Sequence, residues 1–480
     1  MNRASLVSAL EAVVGKEYVF HHPDDLLVYE SDASVDRHTP GIVVVPASSE
    51  EVARVVHLAF ELGLLLVPRG AGTGLSGGAV ALGENTIQVA LTRMHRVLEV
   101  DTVNQMAVVE PGLVNLDLTT AVSRYGLYYA PDPSSQRACT IGGNVAENAG
   151  GPHCLRYGTT TNHVLGVEVV LEDGSVVWLG GHSRDLPGYD LTGAFVGGEG
   201  TLGIATRVVV RLLPAPEAIR TFLAIFDRME DASAAVSGII AAGIVPAALE
   251  MMDNLAIRAV ENARPVGYPT DAEAVLLVEV DGLREEVEGE GEEVGRVCQS
   301  LGARQLRFAD DPKERELLWA GRKGALGALG TIAPNYYLLD GVVPRTRLLE
   351  VLQRVKEVER QHGFPIANVF HAGDGNLHPC VLFDERKGEA HRAIEAAGAI
   401  LKACVEAGGV LTGEHGVGIE KRAFMPLMFT PQDLAAMERL RDAFAPGHRF
   451  NPGKVFPEGA TCGEPQPTPT SSGLPADAWV

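Results

Sequence analysis

The most constraining feature of this chain is a β-α-β pattern that runs directly into a glycine-rich loop. The stretch GIVVVPAS from residue 41 predicts a strand, and EEVARVVHLAFELG then predicts a helix with an apolar face of Val52, Val55, Val56, Ala59 and Leu62. A second strand, LLLVP, leads into PRGAGTGLSGGA at 68–79. Because these residues are small, successive backbone N–H groups can turn towards an anion without obstruction by a Cβ atom. The loop therefore suits a pyrophosphate.

Two common nucleotide motifs do not describe this loop. It lacks the G-K-[ST] of a P-loop, and Gly72, Gly74 and Gly77 match G-x-G-x-x-G only loosely, with no helix immediately after them. The first observation argues against a P-loop, and the second argues against a nicotinamide site of the Rossmann type. Taken alone, the loop is equally compatible with a surface turn.

Length and composition exclude several classes of protein. A chain of 480 residues predicts two domains, and a net charge of -22, from 62 acidic and 40 basic side chains, argues against binding to nucleic acid or an anionic membrane. The six cysteines include no C-x-x-C pair, which argues against an iron–sulfur cluster or a zinc ribbon in this chain. They are typical of buried thiols in a reducing cytoplasm.

The distribution of apolar and proline-rich segments predicts a two-domain protein without a membrane-spanning helix. The N-terminal residues lack a long apolar core and a cleavage site, and no segment approaches the roughly 20 apolar residues of a membrane helix. After Pro214 and Pro216 the predicted order of elements changes to strands that alternate with helices. The end of the chain is rich in Pro, Ser and Thr. We therefore expect domains at 1–216 and 217–457, with a flexible tail at 458–480.

Two later segments contain histidines and carboxylates that are suited to catalysis or metal binding. FHAGDGNLHP at 370–379 follows the apolar strand PIANVF, and GEHGVG at 413–418 places a carboxylate beside an imidazole. Two imidazoles and a carboxylate make a plausible open site for zinc, iron or manganese. Spacing alone favours the alternative, in which the histidines form hydrogen bonds in a packed loop, and Asp374 and Asn376 fit turn positions.

Four segments between residues 40 and 216 together resemble the FAD-binding domain of the vanillyl-alcohol oxidase superfamily. These are the loop at 68–79, PDPSSQRACTIGGNVAENAGG, YGTTTNHVLGVEVVLEDG and GGEGTLGIATRVVVRLLP. The resemblance implies an α+β, two-domain flavoprotein with a PCMH-type FAD-binding domain and an α+β substrate or cap domain. It assigns the FAD pyrophosphate to Arg69, Gly70, Ala71, Gly72, Thr73, Gly74, Ser76 and Gly77, the flavin to Pro131, Ser134, Thr140, Gly142, Gly143 and Asn144, and the adenosine end to Glu199, Gly200 and Ile204. Since the first loop has no histidine to tether flavin, we expect non-covalent FAD.

The second half resembles FAD-linked 2-hydroxy-acid dehydrogenases, a family that includes D-lactate dehydrogenases, D-2-hydroxyglutarate dehydrogenases and the D subunit of bacterial glycolate oxidase. GRKGA at 321–325, APNYYLLDGVVPR at 333–345 and NPGK at 451–454 carry this resemblance, and the last subunit is the most similar. It implies catalytic roles for His415 as base and Arg322 as carboxylate anchor, a position near the flavin for Asn451, and metal ligands at His371, His378 and Glu414. Without the family, Arg322 would be assigned to a solvated helix face.

The implied activity is FAD-dependent oxidation of a small D-2-hydroxy acid, glycolate or D-lactate, to the 2-keto acid. A neutral strand at Tyr337, Leu338 and Leu339 disfavours a diacid substrate. The resemblance also implies a second flavin subunit and an iron–sulfur subunit as partners, with a cytoplasmic protein held at the inner membrane through them. The alternatives are a non-catalytic flavin subunit of a larger redox complex and a redox-neutral transferase of the same superfamily, such as an ether-lipid synthase.

Overall fold

The structure is a computed structural model that describes residues 2–183 and 187–457, and these form two compact units. In the described part, the first unit comprises residues 2–150, 159–183, 187–215 and 414–457. The second unit comprises residues 151–158 and 216–413. The predicted tail at 458–480 lies outside the described residues.

Fourteen α-helices occur within the described residues. They are α1 (Arg3–Val14), α2 (Pro23–Leu26), α3 (Ser49–Leu62), α4 (Asn115–Val122), α5 (Ile141–Glu147), α6 (Cys154–Tyr157), α7 (Leu191–Phe195), α8 (Met229–Ala241), α9 (Asn254–Ala263), α10 (Arg284–Ser300), α11 (Pro312–Ala328), α12 (Leu348–His362), α13 (Ala390–Glu406) and α14 (Pro431–Phe444). Short 3₁₀ turns lie at Lys16–Tyr18, Leu27–Tyr29, Ser123–Tyr125, Thr160–Asn162, Leu329–Thr331, Arg345–Arg347, Glu385–Lys387 and Arg422–Leu427.

Twenty strands occur in the same part of the chain. They are β1 (Val19–Phe20), β2 (Ile42–Val44), β3 (Leu65–Arg69), β4 (Thr86–Ala90), β5 (Val97–Asp101), β6 (Met106–Val109), β7 (Leu127–Tyr128), β8 (Val164–Val170), β9 (Val176–Gly180), β10 (Ile204–Arg211), β11 (Leu213–Pro214), β12 (Ala218–Phe226), β13 (Ala248–Asp253), β14 (Ala274–Gly282), β15 (Ala303–Phe308), β16 (Asn335–Leu338), β17 (Gly341–Val342), β18 (Ile366–His371), β19 (Asn376–Leu377) and β20 (Pro379–Phe383).

The first unit is built on two main sheets. The first has the order β1-β2-β4-β3, with β4 parallel to both β2 and β3, and the second is an antiparallel sheet of order β5-β6-β10-β8-β9. The predicted β-α-β start is confirmed as β2, α3 and β3. Ser48 caps the start of α3 by accepting a hydrogen bond from the Glu51 N–H, and Gly63 ends the helix with a φ of 66°.

The apolar face of α3 is buried in the core beside the first sheet. Val52, Val55 and Val56 are fully buried in one cluster with residues of β2, β3 and β4. The second sheet has its own core, in which Val167 and Val208 meet side chains from α4 and α5. This packing fixes the carboxyl end of β3, where the glycine-rich loop begins.

The second unit contains a nine-stranded arrangement with helices packed on it. Its path runs β15-β12-β14-β13-β18-β19-β17, with β20 pairing to both β18 and β16. In the antiparallel β13–β18 pair, Glu250 is opposite His371. The predicted strand PIANVF is confirmed as β18.

The FHAGDGNLHP segment forms the turn of a hairpin. Strand β18 ends at His371, which is paired with Asn376 at the start of β19. Asp374 lies in the turn, as predicted, and accepts a hydrogen bond from the Asn376 N–H at 3.1 Å. Asn376 was also assigned to the turn, but it is the first residue of β19. No helix within the described residues is long and apolar enough to cross a membrane.

Candidate active site

The glycine-rich loop of the first unit begins at Arg69, the last residue of β3. The Arg69 Nη2 donates to the Ser31 carbonyl at 2.8 Å, while its buried Nη1 has no hydrogen-bond partner among the described residues. Burial lowers the pKa of Arg69 from its ordinary value. A Cβ on Gly72, where φ is 71°, would lie 2.2 Å from Arg69 Nη2, so the loop closes on the guanidinium only because this residue is glycine.

The second predicted cofactor segment lies directly beside this loop. A Cβ on Gly70 would be 2.3 Å from the Thr140 Oγ1, which accepts a hydrogen bond from the Gly143 N–H. Asn115, which the sequence analysis missed, donates from its side chain to both the Pro131 carbonyl and the Asn144 Oδ1 at 3.0 Å. A buried amide thus connects two predicted flavin contacts.

The third segment meets the C-terminal NPGK motif within the same unit. The buried Glu199 carboxylate accepts hydrogen bonds of 2.6 Å from the N–H groups of Val417 and Gly418. Asn451 donates from its side chain to the carbonyls of Glu199 and Gly78, at 2.7 and 2.8 Å. The predicted residues Glu199 and Asn451 therefore share one hydrogen-bond network with the end of the glycine-rich loop.

Three charged groups at this network were not identified from the sequence. Burial, reinforced by the neighbouring Glu199, raises the pKa of Glu147 well above its ordinary value of 4.5. The Lys454 ammonium donates to the Val80 carbonyl at 2.6 Å, and burial lowers its pKa to about 8. Lys421 is also buried and donates to the Gly416 carbonyl at 3.2 Å. Glu147 and Lys454 lie within the quoted segments PDPSSQRACTIGGNVAENAGG and NPGK, but the sequence does not show that their charged groups are buried close together.

The other predicted cofactor residues differ in exposure. Ser76 and Gly77 are buried, and Ile204 belongs to the apolar core, whereas Ala71 and Ser134 are exposed. The remaining predicted positions are partly buried around the loop and the start of α5: Thr73, Gly74, Gly142 and Gly200.

The second unit gathers a buried charged cluster at the carboxyl end of β18. The Glu250 side chain, on β13, is fully buried and lies 2.8 and 2.9 Å from the His371 Nδ1 and 2.5 Å from the Arg322 Nη2. Burial alone would raise the pKa of Glu250, but the charge of Arg322 and the His371 ring hold it below its ordinary value. The carboxylate is therefore ionised and accepts a hydrogen bond from the His371 Nδ1–H.

The second histidine of the motif is anchored in the same way. The His378 Nδ1 lies 3.1 Å from the Leu339 carbonyl oxygen, an acceptor, and the two imidazole rings of His371 and His378 are edge to face with centroids 5.0 Å apart. Asp340 lies 3.8 Å from His378 and accepts hydrogen bonds from the Thr412 hydroxyl and the Gly413 N–H. Both rings thus hydrogen bond through Nδ1 to a carboxylate or carbonyl oxygen, the arrangement that is usual for imidazoles that bind a metal.

The assignment of Arg322 to a solvated helix face is wrong. Its residue is 3% exposed on the inner face of α11, and its Nε has no hydrogen-bond partner among the described residues. The structure brings Arg322 close to His371, and Glu250, which contacts both, is not among the predicted residues. The remaining predicted residues, Glu414 and His415, begin the last segment of the first unit directly after Gly413.

Two family models cover most of the chain. The model described as FAD binding domain matches residues 40–180, and the one described as FAD linked oxidases, C-terminal domain, matches residues 215–455. The protein belongs to the FAD-linked oxidases. The sequence-based predictions of family, FAD cofactor and oxidoreductase class are thereby confirmed.

Curated relatives align with these FAD-linked oxidase domains over nearly their full length. The glycolate oxidase subunit GlcD of Escherichia coli K12 is 46% identical over 466 residues, covering 97% of this chain and 93% of the relative. GlcD of Bacillus subtilis is 40% identical, covering 90% and 93%, and the D-lactate dehydrogenase of Anaerostipes hadrus is 34% identical, covering 87% and 89%.

Solved structures confirm the predicted fold class. p-Cresol methylhydroxylase with bound substrate superimposes with a TM-score of 0.80 at 17% identity, covering 94% of this chain and 96% of its own. The 4-ethylphenol oxidase of Gulosibacter chungangensis gives 0.76 at 21% identity, covering 95% and 97%. At these identities the likeness concerns the fold alone.

The residues of the first unit fit the FAD that the family implies. A pyrophosphate needs backbone N–H groups that can be approached closely and a cation, and the loop supplies glycines packed too tightly for a Cβ beside a buried guanidinium nitrogen without a partner. In the second unit, two imidazoles anchored through Nδ1 fit a borderline divalent metal.

Proposed function

We propose that this FAD-linked oxidase oxidises a small D-2-hydroxy acid, glycolate or D-lactate, to the corresponding 2-keto acid. The observation that carries the proposal is the buried cluster of Arg322 and two Nδ1-anchored imidazoles at the end of β18. This cluster supplies a fixed positive charge that can bind the carboxylate of a hydroxy acid. It also supplies imidazole nitrogens that can bind a metal. The names of the relatives, glycolate oxidase subunit and D-lactate dehydrogenase, support the same substrate class.

Arg322 binds the substrate carboxylate. A guanidinium is permanently charged, and a buried one attracts an anion strongly because little water screens it. The Nε–H of Arg322 is a donor without a protein partner among the described residues, while Nη2 is held by Glu250. The side chain is therefore fixed in position before substrate arrives, which also explains how a protein of net charge -22 receives an anion.

His415 holds the proton that the substrate hydroxyl loses. A neutral imidazole nitrogen is a suitable acceptor near neutral pH. FAD, when bound non-covalently at Arg69 to Gly77, supplies a two-electron acceptor for the substrate hydride. The chain's own part is to bind and orient the hydroxy acid and to remove its hydroxyl proton.

His371, His378 and Glu414 are the ligands we assign to a divalent metal, zinc, iron or manganese. Both histidines contact a carboxylate or carbonyl oxygen through Nδ1, and this arrangement supports metal binding through Nε2. A divalent metal held by these residues would make a nearby hydroxyl group more acidic, and His415 would then hold the proton that this hydroxyl loses.

We further propose that the protein works in a complex with a second flavin subunit and an iron–sulfur subunit, peripheral to the inner membrane. The chain has no C-x-x-C pair to hold a cluster of its own, and two relatives are named as subunits. Copurification from the native cell tests this. A solitary protein that reduces its physiological acceptor unaided contradicts it.

The test of the reaction is an anaerobic flavin spectrum with a panel of D- and L-2-hydroxy acids. We expect glycolate and D-lactate to bleach the flavin, with L-lactate ineffective, and no bleaching by D-2-hydroxyglutarate because the strand at Tyr337 and Leu338 offers no charge for a second carboxylate. The pocket discriminates glycolate from D-lactate weakly, since one methyl group is worth about 1–3 kcal/mol. A flavin that no hydroxy acid bleaches would favour a redox-neutral transferase or a non-catalytic subunit instead.

A further inference from the structure

Glu250 is the point at which two functional groups of the second unit meet. It comes from β13, His371 from β18 and Arg322 from α11, so three separate elements converge on one carboxylate. Glu250 and His371 are direct partners in the antiparallel register, which puts both side chains on the same face of the sheet. The side chain of Glu250 has no exposed surface, and that of Arg322 is 4% exposed.

Because an ionised carboxylate can only accept hydrogen bonds, its partners in both contacts must be donors. It has acceptors and no proton to give, so a hydrogen bond from His371 to Glu250 requires the hydrogen on Nδ1. The same carboxylate accepts from the Arg322 Nη2, which is always a donor. The 3.5 Å approach of Nη2 to Nδ1 is then between two donors, and only a shared acceptor holds the two groups side by side.

A neighbouring pair on the same helix shows that this arrangement is not a general packing feature of α11. Two turns earlier, Arg315 pairs with the buried Glu279, but there the carboxylate also accepts from the Trp319 indole and the Thr221 hydroxyl. That network contains no assigned functional residue. Glu279 is therefore a matched reference for a buried glutamate with a purely structural arginine partner.

We propose that Glu250 is a positioning residue that sets His371 as an Nε2 metal ligand and holds Arg322 ready for an anionic substrate. This inference rests on the proposed function, because it concerns how those two side chains are prepared for their ligands. One carboxylate serves both, so the metal-binding tautomer and the orientation of the substrate anchor are linked.

Glu250→Gln tests the proposal because the amide is isosteric but not acceptor-only. Its oxygen accepts from Arg322, and its NH₂ group then donates to the His371 Nδ1, which moves the ring hydrogen to Nε2 and blocks that ligand. We expect the zinc affinity of metal-stripped, FAD-loaded protein to fall about 10- to 100-fold in titrations against a chelator. We also expect KM for the hydroxy acid to rise, with FAD content unchanged.

Glu279→Gln is the matched control. It neutralises a buried carboxylate that pairs with an arginine of the same helix, so it should lower the melting temperature while zinc affinity stays at the parent value. If Glu279→Gln weakens zinc binding as much as Glu250→Gln does, Glu250 acts only through stability and the proposal is overturned. Equal zinc affinity in parent and Glu250→Gln overturns it directly.

Glu250→Asp provides a second test of the proposal if Glu250→Gln does not fold. Glu250→Asp keeps an acceptor-only carboxylate but draws it back by one methylene, so zinc affinity should fall severalfold and less than for the amide. Parent-like affinity in Glu250→Asp then overturns the proposal. If the parent protein binds no zinc, iron or manganese, the metal assignment of the proposed function is wrong. Metal binding by the parent protein therefore distinguishes failure of the proposed function from failure of the role proposed for Glu250.

Discussion

Arg315 and Glu279 form a two-point ion pair, with Nε donating to one carboxylate oxygen at 2.8 Å and Nη2 to the other at 2.7 Å. The carboxylate also accepts from Thr221 and Trp319, so a charge buried in the sheet is surrounded by donors. Burial alone would raise the pKa of Glu279, but its hydrogen bonds to His153 and Arg315 hold that pKa well below the ordinary value of 4.5. The ionised form is the one that the fold accommodates.

Glu279→Gln should therefore lower the free energy of unfolding at pH 7 by about 1–3 kcal/mol, because the buried donors around residue 279 lose their charged acceptor while the partly exposed Arg315 remains hydrated. Because the folded-state pKa is depressed, this contribution is present above pH 4.5 and is lost as the pH falls further below it. Urea unfolding across that range measures both effects. Glu350→Gln, which breaks the exposed pair with Arg347, serves as control and should change stability by less than about 1 kcal/mol. Equal effects of the two variants would contradict the prediction.

The elements that the sequence predicted correctly are those with a local signal. The β-α-β start has an apolar helical face between two apolar runs, and the apolar run PIANVF forms β18. Short strands such as β13 and β15 were not predicted, because their residues are recruited to the sheet by neighbours distant in sequence.

The same distinction applies to the candidate site. Glycines and paired histidines are recognisable as motifs, but Glu250 is a single acidic residue in ALEMMD whose importance arises from pairing with His371, 121 positions later. Asn115 and Glu147 are similar cases. Such residues become visible only when the sheet register and helix packing are known.

FAD should be held without a covalent bond. The loop at 68–79 contains no histidine that could form a flavin tether, and we assign its contacts with the cofactor to the glycine backbone and Arg69. Acid precipitation of the yellow protein should leave intact FAD in the supernatant, as chromatography against authentic FAD would establish. Flavin that stays with the precipitate would be inconsistent with this expectation.

Gly70→Ala should weaken FAD retention by at least about tenfold. Its Cβ would lie 2.3 Å from the Thr140 Oγ1, and that oxygen is fixed by its hydrogen bond with the Gly143 N–H, so the loop must move. The measurement is equilibrium binding of FAD to the deflavinated protein. Gly327→Ala is the control: it faces open space on α11, and should raise helix stability by about 0.5–1 kcal/mol without affecting FAD. Parent-like FAD affinity for Gly70→Ala would rule out a tight cradle.

Asp253 should make stability depend on pH between about 4 and 6. Burial raises its pKa from 3.8 to about 6, although it accepts hydrogen bonds from the Ala256 N–H and from Asn368. Since the folded state holds the proton more tightly than the unfolded one, parent stability relative to Asp253→Asn should decline as the pH rises through this range, by up to about 3 kcal/mol. Unfolding free energies at pH 4, 5, 6 and 7 check this, and identical pH slopes for the two proteins would contradict it.

The adjacent residues Glu414 and His415 should have separable functions. Glu414→Gln replaces a ligand carboxylate by a weaker neutral oxygen, so it should lose bound metal along with most activity. His415→Asn should keep metal and FAD, while the rate of flavin reduction falls about 10²- to 10⁴-fold, as is typical when a general base is removed, and substrate affinity changes much less. Elemental analysis and anaerobic stopped-flow bleaching measure the two properties independently.

Matched controls are available on the exposed face of α13, where His391 and Glu395 form a surface pair. His391→Asn and Glu395→Gln make the same chemical changes outside the proposed site and should leave metal content and flavin reduction at parent values. Parent-rate bleaching by His415→Asn would remove the base assignment, because no other step depends on that imidazole. Full metal content in Glu414→Gln would remove the ligand assignment. If the parent contains no metal and still turns over after chelation, His371 and His378 are hydrogen-bonded histidines of a substrate pocket, and Arg322 alone must then provide the charge that draws the hydroxy acid in.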